Sequence, residues 1–180
     1  MEEKALLKRK HPRLSEHIYS EVGAYFITVC TQGRKCLLST VGRGLAPAVV
    51  SLSEYGKIVE QELISIPVRF PTVQIDKYVI MPNHIHFILI ITDAAGASPR
   101  PTVMDAVCAF KSLATRRCRA LGFGGQLFQT SFHDHVIRDR ADYDEVVKYI
   151  HENPLKWHFD ELFVEDSEDL ETRTKICLLE

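Results

Sequence analysis

Long apolar runs are missing from this chain. No stretch reaches the roughly 18 residues that a membrane-spanning helix requires, and the opening MEEKALLKRKHPR lacks the apolar segment of a secretory leader. A soluble, cytoplasmic protein is therefore expected. Cysteine is sparse: Cys30, Cys36, Cys108, Cys118 and Cys177 are odd in number and scattered, with no C-x-x-C pair. That argues against both a disulfide framework and a thiolate zinc centre, and for reduced thiols. Strong charge of either sign is also lacking, the formal net charge being -2. Such a balance does not by itself point to nucleic acid, and no internal sequence repeat suggests a solenoid.

What is present suits one compact unit. At 180 residues with 46% hydrophobic content the chain can bury one full core, and its length favours a single domain over two. Charge is unevenly placed along it. Lys4, Lys8, Arg9, Lys10 and Arg13 make residues 1–20 a basic N-terminal arm. Asp160, Glu161, Glu165, Asp166, Glu168, Asp169 and Glu171 make 159–180 an acidic tail, which leaves 21–158 as the domain. Charged runs are usually solvated faces or frayed ends. The exception here is a helix carrying Lys111, Arg116, Arg117 and Arg119, which reads as a surface for a nucleic-acid backbone.

Pattern and punctuation place the elements. AYFITVCTQ (24–32), β-branched and aromatic, reads as a strand ended by Gly33. VGRGLAPAVVS reads as a loop, after which Ser53 can cap a helix through EYGKIVEQELISI, with Pro67 just beyond its end. TVQIDKYVIM (72–81) is a second strand, turned by PNH into a third, IHFILIIT. A helix then runs over 102–121 to Gly122, and QLFQTSFHDHVIR reads as the fourth strand. A last helix starts near Asp142, where Asp142 and Glu145 form a D-x-x-E capping box, and stops before Pro154. The order β-α-β-β-α-β plus one helix predicts an α+β, ferredoxin-like fold: an antiparallel sheet with helices on one face and an appended C-terminal helix.

The third strand opens on two histidines, His84 and His86, in MPNHIHFILII. Residues i and i+2 of a strand share a face, with Cα atoms about 7 Å apart. Two imidazoles so placed can converge on one cation, although an H-x-H alone also fits a solvated turn histidine beside one bonded to a carbonyl. FHDHVIR repeats the spacing with His133 and His135. The tight Pro82-Asn83 turn and the apolar strand favour the first pair. On the last helix Tyr143, Val146, Val147 and Ile150 form an apolar stripe that places Tyr143 in the core. Tyr149 falls about 100° from the centre of that stripe, and Asn153 lies one turn later. Tyr149 is thus a marginal or exposed phenol, and beside a metal site its oxygen is a candidate nucleophile.

YVIMPNHIHFILII, followed some sixty residues later by DHVIRD and YIHENPLKW, closely resembles the REP-associated, single-tyrosine branch of the HUH transposases. The likeness runs from about Tyr25 to Trp157. It implies a metal-dependent transposase that cleaves and rejoins single-stranded DNA at hairpin-forming ends through a 5′-phosphotyrosine. It implies that His84, His86 and Asn153 hold Mg²⁺ or Mn²⁺, that Tyr149 is the nucleophile, and that a homodimer is possible. Two other readings use the same residues. One is a noncatalytic nucleic-acid-binding ferredoxin-like module, with Tyr25, Phe26 and Tyr78 stacking bases. The other is a nicking enzyme of relaxase or replication-initiator type.

Overall fold

The computed structural model describes residues 22–42, 49–93 and 101–164. The basic arm at 1–20 and residues 165–180 of the acidic tail lie outside the described residues. The first strand, β1 (Gly23–Cys30), is followed by a short ribbon of β2 (Ser39–Val41) and β3 (Val50–Leu52). The stretch read as a loop therefore carries a small hairpin on both sides of residues 43–48. Helix α1 (Glu54–Ile64) begins at Ser53, whose hydroxyl accepts the Gly56 amide, as expected. A single further turn, α2 (Ile66–Arg69), carries Pro67 in its first turn, where a missing N–H costs nothing.

The hairpin strands β4 (Val73–Ile80) and β5 (His84–Ile91) follow, then α3 (Val103–Ala120), β6 (His133–Ile137) and α4 (Arg140–Glu152). The main sheet runs β4-β5-β1-β6, antiparallel throughout, which is the predicted ferredoxin-like α+β order with one helix appended. Strand β6 is shorter than expected. The carbonyls of Gln129 and Thr130 accept from the Lys111 ammonium at 2.6 and 2.8 Å, so they are turned away from a ladder, and only Phe128 bridges back to Thr31. The cap of α4 is Asp139, whose carboxylate accepts the Asp142 amide, rather than the Asp142 and Glu145 pair. Gly122 ends α3 with φ +91°, as its position suggested.

Both faces of the sheet are covered, which explains why β5 is apolar without alternation. Ile85, Phe87, Leu89 and Ile91 join Tyr25, Ile27 and Val29 beneath α1 and α3 in the larger core. Ile88 and Ile90, with Phe26 of β1, meet Val146 and Ile150 of α4 on the other face. His84 and His86 share the even face with Ile88, so the strand delivers both imidazoles to the side where α4 lies. Among the described residues, no helix is long and apolar enough to cross a membrane.

Close packing of α1 on the chain before β2 gives a direct check. A Cβ at Gly56 would fall 1.9 Å from the Leu38 carbonyl oxygen, whereas one at Gly124 meets nothing within 4 Å. Gly56→Ala should cost about 1–3 kcal/mol as helix and ribbon are forced apart. Gly124→Ala should stay within about 0.5 kcal/mol of wild type. Chemical denaturation of the two variants measures the difference.

Candidate active site

His84 and His86 are buried, with ring centroids 4.4 Å apart. Their cross-strand partners explain how they are held. His84 pairs with Cys30 and His86 with Thr28 in the ladder, and the His86 Nδ1 atom lies 2.9 Å from the Thr28 hydroxyl. Asn83 Oδ1 lies 2.8 Å from His84 Nδ1. The Asn83 amide nitrogen donates to the carbonyls of Leu162 and Arg34, so its oxygen is the atom that meets the imidazole. An amide oxygen only accepts, so His84 Nδ1 carries the proton and, in the neutral ring, Nε2 offers a bare lone pair. That nitrogen is buried and has no hydrogen-bond partner.

Helix α4 brings the second half of the site. Asn153, its C-terminal cap, is buried at 4% exposure, and its Oδ1 is also without a partner. Tyr149 sits one turn earlier at 45% exposure, off the apolar stripe as its helical position implied. Its hydroxyl is 3.4 Å from His86 Nε2. Phe26 fixes the lateral position of both rings, stacking on His86 at 5.2 Å and meeting Tyr149 edge-on at 5.9 Å. Tyr143 is half-buried at the margin of the smaller core, where its hydroxyl donates to Asp76.

Asp160 completes the cluster, although the sequence pattern assigned it to the acidic tail. After α4 the chain turns through Trp157–Phe159 and folds back over the histidines. One Asp160 oxygen accepts from Asn153 Nδ2 at 2.6 Å and lies 3.5 Å from the Tyr149 hydroxyl. The other accepts the Leu162 amide at 2.7 Å. Ligand atoms of His84, His86 and Asp160 all lie within 4.8 Å of one another. No single feature of an acidic run could have picked out Asp160. The contact depends on the return of the chain.

Burial sets the protonation states. It pushes His84 down to about 4, against the opposing pull of Asp160 and Asn153, and it holds His86 well below the usual histidine range, with His84 adding to the effect. Both rings are therefore neutral near pH 7. Burial, and then the Asp160 carboxylate, push the Tyr149 phenol up to about 12. Two neutral imidazoles, an amide oxygen and a carboxylate, two of the donor atoms being buried and unpartnered, form a donor set that suits a divalent cation with positions left over for other oxygens.

The remaining candidates are placed differently. By register His133 and His135 lie on the same sheet face as Thr28 and Phe26, but His135 Nε2 is held by the Asp142 carboxylate at 2.9 Å and both side chains are exposed. Among the described residues the group gathered closely enough to hold a metal ion is instead His84, His86 and Asp160. Lys111, Arg116, Arg117 and Arg119 ride on α3, in the layer across the sheet from α4. Arg117 pairs with Glu62 at 2.7 Å, Arg119 donates to Gly125, and Lys111 is bound to its carbonyls. Arg116 lines a cavity of about 370 Å³ with Lys111, Arg119 and Gln126. Tyr25 is 1% exposed and cannot stack on a base, and the Tyr78 hydroxyl donates to Glu60.

A cleft of about 1000 Å³ opens over the site, walled by Phe26, His86, His133, Tyr149, Asn153 and Asp160. Arg34 and the 89% exposed Phe159 also stand on its border. The fold around it has a solved counterpart. A solved REP-associated tyrosine transposase, bound to a REP hairpin, matches this fold with a TM-score of 0.58 at 22% identity, over 83% of this chain and 76% of that one. In sequence the chain is 32% identical over 173 residues to an uncharacterized protein of Haemophilus influenzae, covering 87% of this chain and 94% of that protein, and it belongs to one family with that protein. No family profile matches it.

The depressed histidines make acid stability predictable. His84 has a folded pKa near 4 and an ordinary value of 6.5. Between those values the unfolded chain binds more protons, so stability is full above about 6.5 and is lost as pH falls toward 4. The loss from His84 alone should be about 3 kcal/mol. Denaturant unfolding in the presence of a chelator at pH 7.0, 5.5 and 4.5 should show a steady decline. His84→Asn should flatten this slope.

Proposed function

We propose that this chain is a metal-dependent single-stranded DNA transposase that cleaves and rejoins strands through Tyr149. The observation that carries the proposal is a phenol 3.4 Å from one buried imidazole, beside a second imidazole and an amide whose ligand atoms have no partner. The shared fold with a REP-associated tyrosine transposase supports the same reading, and the REP hairpin bound to that protein makes a hairpin end the natural substrate to try.

The residues divide the work by chemistry. His84, His86 and Asn153 would hold Mg²⁺ or Mn²⁺, which when bound polarises phosphate oxygens and offsets the charge that builds in the displacement. Tyr149 supplies the nucleophile. Its oxygen forms a bond to phosphorus as the bond from phosphorus to the 3′ oxygen breaks, leaving a 5′-phosphotyrosine and a free 3′-hydroxyl. Reversal with another 3′-hydroxyl joins a new end with no external energy source, because the phosphodiester energy is kept in the covalent link. Phe26 and Thr28 hold His86 in place rather than touching the substrate. Phe159, exposed at the cleft border, offers a face on which an unpaired base can stack, and Arg34 a charge for its phosphate. On α3, Arg116 adds a phosphate contact of lesser weight, since Arg117, Lys111 and Arg119 commit donors within the chain.

Two tyrosines on one helix supply the decisive experiment. With Mn²⁺ and labelled single-stranded DNA from the flanks of the gene, wild type and Tyr143→Phe should give a covalent adduct on denaturing gels, and Tyr149→Phe none. Tyr143→Phe loses its bond to Asp76 and should cost about 1–2 kcal/mol of stability, so adducts are compared well below its melting temperature. Adduct from Tyr149→Phe at the wild-type rate would falsify the assignment. Addition of a second strand with a free 3′-hydroxyl should release the adduct as a joined product, which separates a transposase from an enzyme that only nicks.

The cleft border is tested by affinity alone. Phe159→Ala should weaken binding of unpaired DNA by roughly tenfold, the scale of one lost base stack, while leaving a blunt duplex unaffected. Fluorescence anisotropy with both probes measures it, and equal affinities for wild type and variant would remove Phe159 from the interface.

A further inference from the structure

We infer that Asp160 is a fourth ligand of the cation and contributes the only carboxylate of its donor set; this rests on the metal reading of His84 and His86 given above. A cation bound at about 2.1–2.2 Å by each donor spans at most about 4.3 Å between opposite ligand atoms. The spread of up to 4.8 Å among His84, His86 and Asp160 needs only a few tenths of an ångström of closure per donor. Side-chain rotation at Asp160, which is not fully buried, supplies that closure.

Charge gives the stronger reason. Two neutral imidazoles and one amide bring no negative charge to a dication that must leave water for a largely buried site. Oxygen-seeking ions are bound through at least one carboxylate in most protein sites for this reason. Asp160 is the carboxylate that the fold places there. It already accepts from Asn153 Nδ2, which ties the carboxylate to the amide whose Oδ1 is left without a partner.

The strap that carries Asp160 is fastened independently of the ion. Asn83 Nδ2 donates to the Leu162 carbonyl at 2.7 Å, Arg34 donates to the Glu161 carbonyl at 3.3 Å, and Trp157 meets Phe163 edge-on at 5.1 Å. Removing the carboxylate should therefore leave the strap in place. The adjacent Glu161 also borders the cleft and serves as a charge control at the same distance in sequence.

The test is Mn²⁺ titration of the full chain without DNA, by calorimetry or by the paramagnetic resonance of free Mn²⁺. Wild type should bind one ion. Asp160→Asn should weaken binding tenfold or more, as should Asp160→Ala, while Glu161→Gln stays within about twofold. His84→Ala should lose the ion altogether. Affinity of both Asp160 variants within twofold of wild type, with His84→Ala still defective, would overturn the ligand assignment and leave the histidine site standing. An equal loss from Glu161→Gln would overturn it as well, since the effect would then be one of charge at a distance. If His84→Ala binds as wild type does, or wild type binds no ion at millimolar Mn²⁺, the metal reading itself fails and this inference falls with it.

Discussion

Asn83 holds the site together. Its buried side chain accepts from His84 with one atom and donates to Arg34 and Leu162 with the other, while its backbone carbonyl accepts both the amide and the hydroxyl of Thr31. Four segments meet at this one turn: the β4-β5 corner, the end of β1, the turn after it and the strap after α4. An unpaired buried amide is costly, so each of these bonds constrains the others. The turn also holds Arg34 in a left-handed conformation, φ +56°, which a non-glycine residue adopts only where its surroundings impose it.

A second constraint is electrostatic. Burial keeps both imidazoles neutral and therefore able to ligate, and the same burial raises the phenol. Asp160 acts on His84 and Tyr149 in the same direction, favouring the protonated form of each. Positive charge placed among these side chains would act the other way, compensating the carboxylate and favouring both the neutral ring and the phenolate. His84 and Tyr149 are thus coupled through one acidic side chain. The short reach from His86 Nε2 to the Tyr149 oxygen makes the coupling local.

The sheet supplies the rigidity on which these distances depend. Strand β5 is bonded on both sides and covered on both faces, so the ends of His84 and His86 can move little. Helix α4 adds Tyr149 and Asn153 from the far side of a small apolar contact with Ile88. The two histidines thus stand on a strand held on all sides, and Tyr149 on a helix docked by a small core.

The sequence by itself determined the order of the main sheet's strands and the three long helices, the shared face of His84 and His86, and the marginal position of Tyr149. Each follows from a local repeat: two residues for a strand, 3.6 for a helix, and turn residues that interrupt them. The resemblance carried by YVIMPNHIHFILII and YIHENPLKW anticipated the fold. Tertiary structure alone decided the rest. Thr28 supports His86 because of ladder register, His135 is held by Asp142 because α4 starts one turn earlier than its acidic residues suggested, and Lys111 and Arg117 turn inward to carbonyls and Glu62. Asp160 is the clearest case. Nothing within an acidic run distinguishes one carboxylate from the next, and only the path of the chain back over Asn83 brings this one to the histidines.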